Sequence, residues 1–307
     1  MQLDYAQLAA LAAVVGEGSF ERAAQRLHVT PSAVSQRIRQ LEERVGAVLV
    51  HRGVPCRATP AGLPLLRHAE RVALLEAELV AALPHAPSSG SAARAPLRVA
   101  VNADSLATWL MPALARFAQA WPAVQLDLVV EDQDHATDRL RDGDVLAAVT
   151  SSAAPVQGCS SHALGALRYV ATASPAFVAR WFERGVDARS LSAAPCLVFN
   201  RKDALQSRWL QRVTRRALAP PRHWVPSTQG FVDGALAGLG WGMNPLPLVQ
   251  GHLAARHLVE LVPDRPVDVP LHWQCSRLAL PALVALTDAV RATAQVELRG
   301  SKVQGRR

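Results

Sequence analysis

The sequence lacks the features that send a chain into or across a membrane. It has no run of about 18 or more uncharged apolar residues, and no basic, apolar, small-residue leader stands at its N-terminus. We therefore expect a cytoplasmic protein without a membrane partner. Half of the 307 residues are apolar, which is enough to bury two or three packed units rather than one.

Cysteine is scarce and widely spaced. The four cysteines, Cys56, Cys159, Cys196 and Cys275, include no C-x-x-C pair, which argues against a metal knuckle. We expect buried, reduced thiols. A redox-sensing pair of Cys159 and Cys196 is the alternative.

Sets of catalytic residues are also missing. His252 and His257 have no third ligand and no H-E-x-x-H context, and Ser105 has no evident partner histidine in the sequence. The sequence therefore predicts no metal, no cofactor and no enzymatic activity. A small-molecule enzyme with a DNA-binding appendage is the alternative that would require turnover.

What the chain does contain is a helix-turn-helix pattern in residues 19–41, SFERAAQRLHVTPSAVSQRIRQL. Ser19 is a good N-cap for a helix that runs to about Leu27, and the small Ala24 lies where a second helix must cross closely. The turn follows at His28. Two short helices in this arrangement are typical of DNA-binding motifs, and an ordinary solvated helix pair is the alternative.

The second helix of this pattern has a polar outward face. Thr30 caps the helix and Pro31 takes its first position, where a missing N–H and a fixed φ are harmless. The inward positions, spaced i, i+4 and i+7, are Val34, Ile38 and Leu41. The outward positions are Ser32, Ser35, Gln36 and Arg39. Such a helix fits the major groove, where glutamine pairs with adenine, arginine with guanine, and serine with bases or phosphates.

The flanking segments complete a small domain. Leu8, Leu11 and Val15 give a preceding helix one apolar side. Downstream, VLVHRGVPCRATPAG alternates short apolar and basic stretches with turn residues, as a two-stranded wing does, and Arg52 and Arg57 could reach phosphates. Residues 1–60 are therefore predicted to form a winged helix-turn-helix domain.

The net charge permits nucleic-acid binding without locating it. The formal net charge is +8 and the isoelectric point is near 10.3. Residues 1–84 carry nine arginines against eight acids, so this region is nearly neutral. Its positive character must come from arginines on one face, namely Arg37, Arg39, Arg52 and Arg57.

A long helix is predicted over residues 61–83. Its apolar seam consists of Leu65, Ala69, Val72, Leu79 and Leu83, with Glu76 interrupting. We expect this seam to dimerise the chain, so that two recognition helices read an inverted-repeat operator; packing against the chain's own winged domain is the alternative. Residues 84–96, rich in Pro, Ser, Ala and Gly, predict a hinge, and residues 299–307 predict a basic tail.

Residues 97–298 alternate strand and helix patterns. The first five elements read βαβαβ, which predicts a parallel sheet. The whole region resembles a two-lobed, periplasmic-binding-protein-like effector domain of α/β class. We assign about 97–165 and 268–298 to lobe 1 and about 166–267 to lobe 2.

Ligands of such sheets bind beyond the carboxyl ends of the strands. The polar residues that follow the predicted strands are therefore the candidate effector-binding residues. In lobe 1 they are Asn102, Asp104, Ser105, Asp132, Asp134 and Thr150, with Glu131 and Trp109 nearby. In lobe 2 they are Asn200, Asp203 and Thr228, with Asp233 near the next helix start. Ser105 and free N–H groups at a helix start could hold a carboxylate. The acids would complement a cationic side chain and an α-ammonium, although a single acid is more often solvated or a helix cap.

Nearly the whole chain resembles the LysR-type transcriptional regulators. The resemblance is carried by EGSFERAAQRLHVTPSAVSQRIRQLEERVGAVLVHR, by the threonine and glycine of RATPAG, and by the long helix after them. LDYAQLAAL, LVHRGVPCRATPAG and VNADSLATWLMPAL are similar to the ArgP/LysG (IciA) branch of that family.

The resemblance implies a homodimer or homotetramer that binds double-stranded DNA, with RNA polymerase as a candidate partner. Members of this branch sense lysine or arginine and control an amino-acid exporter gene. The family's recognition helix corresponds here to Thr30, Pro31, Ser32, Ser35, Gln36 and Arg39, and its wing arginine to Arg52. A nucleoid- or replication-associated DNA-binding protein without ligand response is the alternative.

Overall fold

A computed structural model of the chain describes residues 3–82, 96–131, 133–278 and 280–298. The chain divides into two compact units, the first built around the N-terminal helices and the second containing most residues after Arg98. Each helix in the described residues is too short or too polar to cross a membrane. The predicted hinge and the predicted basic tail lie outside the described residues, except that Pro96 begins the first strand of the second unit.

The first unit consists of four helices and a small hairpin. In chain order these are α1 (Tyr5–Glu17), α2 (Phe20–Arg26), α3 (Pro31–Val45), β1 (Val50–His51), β2 (Arg57–Ala58) and α4 (Gly62–Ala82). Strands β1 and β2 pair antiparallel, which is the predicted wing. His28, in the turn between α2 and α3, has a φ of +53°, a left-handed conformation that reverses the chain in one step.

One hydrophobic core holds this unit together. Leu8, Leu11, Val34, Ile38 and Leu41 are completely or almost completely buried in it. Ala23 and Ala24 of α2 are also buried, and their small size lets the helices approach closely. The amphipathic pattern of the sequence therefore predicted the faces of α1 and α3 correctly.

Helix α4 splits the predicted seam between two environments. Leu65 and Ala69 pack into the core of the winged domain, which was the alternative interpretation. Further along the helix, Leu75 is 52% exposed and Leu79 is 62% exposed. Leu83 lies outside the described residues. Leu75 and Leu79 are thus available to a second chain, and dimerisation through this helix stays a prediction. The predicted domain boundaries stay predictions as well.

The second unit alternates strands and helices. Its first half contains β3 (Pro96–Val101), α5 (Ala103–Ser105), a π-helical turn (Leu106–Leu110), α6 (Met111–Ala120), β4 (Gln125–Val130), α7 (Gln133–Asp142), β5 (Ala147–Thr150) and β6 (Cys159–Ala173). There follow α8 (Pro175–Trp181), α9 (Ala188–Ala193), β7 (Cys196–Val198), α10 (Leu205–Thr214), β8 (Arg222–Trp224), α11 (Thr228–Leu236) and β9 (Gly242–Pro245). The unit ends with α12 (Leu246–Ala254), β10 (Val259–Glu260), β11 (Val267–Ser276) and α13 (Pro281–Glu297).

The main sheet is mixed, which corrects the expectation of a parallel sheet. Its seven strands run in the order β10-β6-β11-β5-β3-β4, with β9 on β6. Strands β3 and β5 pair parallel, whereas β6 and β11 pair antiparallel with each other and with their other neighbours. The βαβαβ pattern was correct locally, but the later strands insert from residues more than 100 positions away. Strands β7 and β8 form a separate parallel pair.

All four cysteines are buried and free. Burial raises the pKa of the Cys159 thiol and raises that of Cys196 to about 11. Because the thiolate is the reactive form, these two residues are poor candidates for an oxidant sensor.

Thr59 and Gly62 fasten α4 to the wing. The Thr59 hydroxyl donates to the Val48 carbonyl (2.7 Å) and accepts from the Gly62 N–H (3.0 Å), while the Thr59 N–H donates to the Leu49 carbonyl (2.9 Å). A Cβ at position 62 would overlap the Leu49 carbonyl oxygen. The close approach of two backbones explains why the T-x-x-G pattern stands here.

We predict that Gly62→Ala destabilises the winged domain by about 1–3 kcal/mol, because the added methyl forces the two backbones apart. Urea unfolding followed by circular dichroism measures this change. Gly251→Ala is the control, since the space around that helical glycine is open and the substitution should be neutral or stabilising by up to about 1 kcal/mol. Equal stability of Gly62→Ala and the wild type would contradict the close approach.

Candidate functional site

Helix α3 presents a polar face that is free of packing. Thr30 caps this helix, its hydroxyl accepting from the Ala33 N–H (3.2 Å) and lying 2.9 Å from the Ser32 hydroxyl. Pro31, Ser32, Gln36 and Arg39 are exposed and Ser35 is half-buried, as the sequence predicted. The opposite side of the helix is buried in the core. Such a face can enter a major groove without disturbing the domain.

Arg39 forms an exposed ion pair with Glu43, one helical turn later in α3. Its Nε donates to Glu43 Oε1 (2.9 Å), and the two side chains are 78% and 63% exposed. An exposed pair at this spacing stabilises the helix by about 0.3–0.5 kcal/mol. The guanidinium can therefore exchange Glu43 for a base or a phosphate at little cost.

The wing arginine stacks on the helical domain. The guanidinium carbon of Arg52 lies 5.0 Å from the centre of the Phe20 ring, and the side chain remains exposed. This contact fixes the direction of the wing's positive charge relative to α2.

The second unit contains a cavity of about 520 Å³ at the carboxyl ends of its strands. Five of the predicted effector residues line it: Asn102, Asp104, Asn200, Asp203 and Thr228. Glu131, which follows β4, lines it as well. The Glu131 N–H donates to the Val101 carbonyl (3.0 Å), so β3 and β4 deliver their following residues to the same edge. The cavity is large enough for an amino acid.

Asp104 is a partly buried acid of the cavity that accepts hydrogen bonds from two hydroxyl groups. Its Oδ2 accepts from the Tyr169 hydroxyl (2.6 Å), and its Oδ1 accepts from the Thr228 hydroxyl (2.7 Å). Burial raises the pKa of Asp104 above its ordinary value, the two hydroxyl donors oppose this rise, and the charge of Asp203 adds to it. The site thus holds a desolvated carboxylate that a cation would stabilise.

Asn200 and Asp203 build the turn that precedes α10. Asn200 Oδ1 accepts from the backbone N–H groups of Lys202 (2.8 Å) and Asp203 (3.0 Å). The two carboxylate oxygens of Asp203 accept from the N–H groups of Phe199 (3.0 Å) and Leu205 (2.9 Å). These bonds fix the loop and place a second negative charge at the cavity wall.

Glu131 is already paired. Its Oε1 accepts from Arg139 Nε (2.7 Å) and Nη2 on α7. Because the arginine offsets its charge, Glu131 offers a bound cation less attraction than Asp104 does.

Two predicted residues do not line the cavity. Ser105 is fully buried, and its backbone N–H is capped by Asn102 Oδ1 (2.7 Å), so this helix start does not offer that N–H to a carboxylate. Thr150 is also fully buried; its hydroxyl donates to the Ser152 carbonyl (3.1 Å) and accepts from Gln274 (3.4 Å).

The remaining acids are placed elsewhere or not described. Asp132 lies outside the described residues, and Asp134 lies on α7. Asp233 is exposed on α11, where it accepts from the Gln229 amide (3.0 Å).

Sequence reasoning missed several residues that line the cavity. These are Tyr169 on β6, Lys202 and Arg208 around the start of α10, and the rings of Phe199 and Phe231. The rule that ligands bind at strand ends could not find Tyr169, Arg208 and Phe231, which lie inside a strand or a helix. Phe199 directly follows β7 and satisfies the rule. Lys202 and Arg208 provide the positive charges that the predicted set lacked.

Comparison with known proteins is consistent over both units. The bacterial regulatory helix-turn-helix family named lysR matches residues 5–63, and the LysR substrate binding domain matches residues 90–295. The regulator LysG of Mycobacterium tuberculosis is 49% identical over 301 residues, which are 98% of this chain and 97% of that protein. The chain belongs to the LysR family of transcriptional regulators.

Two solved structures extend the comparison for this LysR regulator. The crystal structure of ArgP from Mycobacterium tuberculosis is 49% identical and has a TM-score of 0.77, covering 98% of this chain and 100% of that chain. Full-length LysG of Corynebacterium glutamicum, solved with bound effector arginine, is 39% identical with a TM-score of 0.67 and covers 97% and 100% of the two chains. Both the predicted family and the predicted fold class are thereby confirmed.

The regulator is accordingly not an enzyme, since its relatives are named transcriptional regulators. Regulators of this family bind DNA and small effectors and form oligomers. The polar face of α3 and the cavity of the second unit are the places where the chain offers the chemistry for the first two tasks.

We predict that Arg39→Ala weakens binding of the regulator to DNA selected from a random pool by about 1–3 kcal/mol, because a base contact is lost. Gel-shift titration on selected and scrambled DNA measures the difference. Glu43→Ala serves as control: it removes the partner of Arg39 and should not weaken binding. An equal loss on both DNAs for Arg39→Ala would make Arg39 a phosphate contact rather than a base contact.

Proposed function

We propose that this LysR regulator binds a basic amino acid, arginine or lysine, in the cavity of its second unit and controls an amino-acid exporter gene in response. The observation that carries the proposal is the partly buried Asp104 carboxylate at the cavity, which accepts hydrogen bonds from two hydroxyl groups. A related regulator, LysG of Corynebacterium glutamicum, has been solved with arginine as its effector.

The charges of the cavity suit both ends of such a ligand. Asp104 and Asp203 provide negative charge for an ammonium or a guanidinium. Lys202 and Arg208 provide positive charge for a carboxylate, and the fork of Arg208 matches a carboxylate in a bidentate way. A neutral amino acid would leave one of the acids desolvated and unpaired, which is unfavourable.

The DNA-binding half of the proposal concerns α3 and the wing. We propose that the major groove of DNA is contacted by Thr30, Pro31, Ser32, Ser35, Gln36 and Arg39. We propose that Arg52 contacts the DNA backbone. We propose that α4 joins two chains as a homodimer, or pairs of dimers as a homotetramer, on an inverted-repeat operator, and that RNA polymerase is the partner in transcription. Effector binding shifts the regulator between two states with different DNA contacts.

Arginine binding should depend on the negative charge of Asp104. We expect Asp104→Asn to reduce the affinity for arginine and lysine at least about thirtyfold, equivalent to about 2 kcal/mol, because a buried charge pair loses one partner. Isothermal titration of the full chain measures the affinity, with citrulline and leucine as neutral ligands. The matched control is Asp233→Asn, an exposed acid that pairs with Gln229 outside the cavity.

Saturable binding of arginine or lysine, but not of the neutral ligands, would support the proposed effector. Failure of the wild type to bind either basic amino acid would refute it and favour a regulator of another ligand or a nucleoid-associated protein. Transcription of the exporter gene in the presence of arginine, with and without the regulator, tests the proposed target.

Binding of the ligand's carboxylate group should depend on Arg208. We predict that Arg208→Gln weakens arginine binding at least about tenfold, equivalent to about 1.4 kcal/mol, and leaves the weaker binding of agmatine unchanged, since agmatine has no carboxylate. Titration of both ligands separates this contact from a general loss of structure. Arg212→Gln is the control, because Arg212 donates to the Pro266 carbonyl (2.7 Å) and does not line the cavity. Equal losses for the two ligands would contradict the assignment.

A further inference from the structure

The Asp104 carboxylate owes its position to two hydroxyl groups from distant parts of the chain. Tyr169 reaches it from β6, 65 residues away in sequence, and Thr228 reaches it from the first turn of α11, 124 residues away. The distances, 2.6 Å and 2.7 Å, are those of hydroxyl-to-carboxylate hydrogen bonds. One donor therefore serves each carboxylate oxygen.

Both donors are neutral, and this matters for a site that must accept a cation. A lysine or arginine in their place would stabilise the carboxylate but offset its charge and compete with the ligand. A hydroxyl stabilises the charged form by a hydrogen bond and leaves the net charge of the site in place. Each carboxylate oxygen has about two acceptor sites, so each can still take a bond from the ligand.

The other charged groups in the cavity lining belong to four residues. Asp203, before α10, adds negative charge and makes ionisation of Asp104 harder, and Arg208 on α10 faces Tyr169 with positive charge. Glu131 after β4 and Lys202 in the α10 turn complete the charged lining, and Arg139 offsets Glu131. Among the described residues, no cation forms an ion pair with Asp104, so the two hydroxyls are the groups that oppose the effect of burial and favour its ionisation.

Tyr169 is suited to permanent donation. The side chain is almost completely buried, and burial, followed by the charge of Asp104, raises the pKa of its phenol well above the ordinary value. The phenol therefore keeps its proton at any pH at which the regulator works. Thr228 is likewise buried, and its hydroxyl donates to the other oxygen of the same carboxylate.

We infer that Tyr169 and Thr228 are positioning residues that hold the Asp104 carboxylate charged and aimed at the cationic group of the effector. The inference deepens the proposed function and rests on it for the identity of the ligand. The sequence predicted Thr228 as a cavity residue but not its pairing with Tyr169. Together the two hydroxyls keep a desolvated carboxylate ionised, so that it can bind a cation.

The test is the pH dependence of arginine binding to the full chain, measured by isothermal titration for the wild type, Tyr169→Phe, Thr228→Val and Thr228→Ser. Arginine keeps its guanidinium charge throughout, so the part of the loss of affinity toward acid pH that is absent in Asp104→Asn reports protonation of Asp104. Without one donor the acid holds its proton more tightly. We expect the midpoint of this loss to move up by about one pH unit in Tyr169→Phe and Thr228→Val, equal to tenfold in the ionisation constant.

Thr228→Ser keeps a hydroxyl and should restore the wild-type midpoint. Thr214→Val is the matched control, because the Thr214 hydroxyl donates to the neutral Leu210 carbonyl (2.8 Å) at the far end of α10. A variant that merely loosens the cavity would lose the same factor in affinity at every pH. An unchanged midpoint in both Tyr169→Phe and Thr228→Val would overturn the inference.

A second measurement separates this inference from the proposed ligand. In the ligand-free protein, removal of a donor penalises the charged carboxylate, so the variants should lose more thermal stability at neutral pH than at acid pH. This additional loss should vanish in the Asp104→Asn background. If the wild type binds no basic amino acid, the proposed function fails. A pH-dependent loss of thermal stability that vanishes in the Asp104→Asn background still supports the role of the two hydroxyls. A loss of thermal stability that is independent of pH overturns that role.

Discussion

The antiparallel ladder between β6 and β11 determines the architecture of the second unit. The two strands pair from Val267 with Tyr169 to Ser276 with Cys159, and a bulge lies at Leu271/His272. On one side β11 also pairs with β5, and on the other the end of β6 pairs with β9 and β10. The ladder therefore joins strands from the beginning, middle and end of the domain. Tyr169 lies where β6 meets β9 and β11 at once, which fixes its hydroxyl relative to the strand ends that carry Asp104.

The cavity shows how a fold can supply negative charge without neutralising it. Burial makes ionisation of Asp104 unfavourable, and the nearby Asp203 makes it more so. The structure offsets both effects with hydroxyl donors and keeps its cations, Lys202 and Arg208, elsewhere on the wall. Opposite charges are thus distributed around one space, which is the arrangement that a zwitterion with a cationic side chain requires.

Local interactions made the first unit predictable from the sequence. Caps at Ser19 and Thr30, a proline at the start of α3 and an inward face spaced i, i+4 and i+7 are all set within a few residues, and the helices form where these signals place them. The second unit depends on pairings between residues about 100 positions apart, such as Arg168 with Asp268 (2.7 Å). The sequence therefore predicted the first three strands of this unit but not the antiparallel pairing of the later ones.

The candidate site was likewise predictable from the sequence only in part. Strand-end residues such as Asp104 and Asp203 follow a topological rule, so the sequence placed them correctly beside the cavity. Ser105 satisfied the rule as well, but the helical turn after Asn102 points its side chain into the interior. Tyr169 and Arg208 lie within regular elements, and only the tertiary structure shows which residues of these elements face the cavity.

The hydrogen bonds of Thr59 join the start of α4 to the wing, so that the two move together. Leu65 and Ala69 anchor the first turns of α4 in the core that also holds α3, and the hydroxyl of Thr59 ties the start of α4 to the strand before it. The recognition helix cannot turn about α4 without breaking these contacts. A rotation of α4 by a few degrees therefore also rotates α3 and its exposed polar face. If α4 joins two chains, as proposed, the angle between their two α4 helices sets the separation and tilt of the two α3 helices, and hence the curvature of DNA that both can contact.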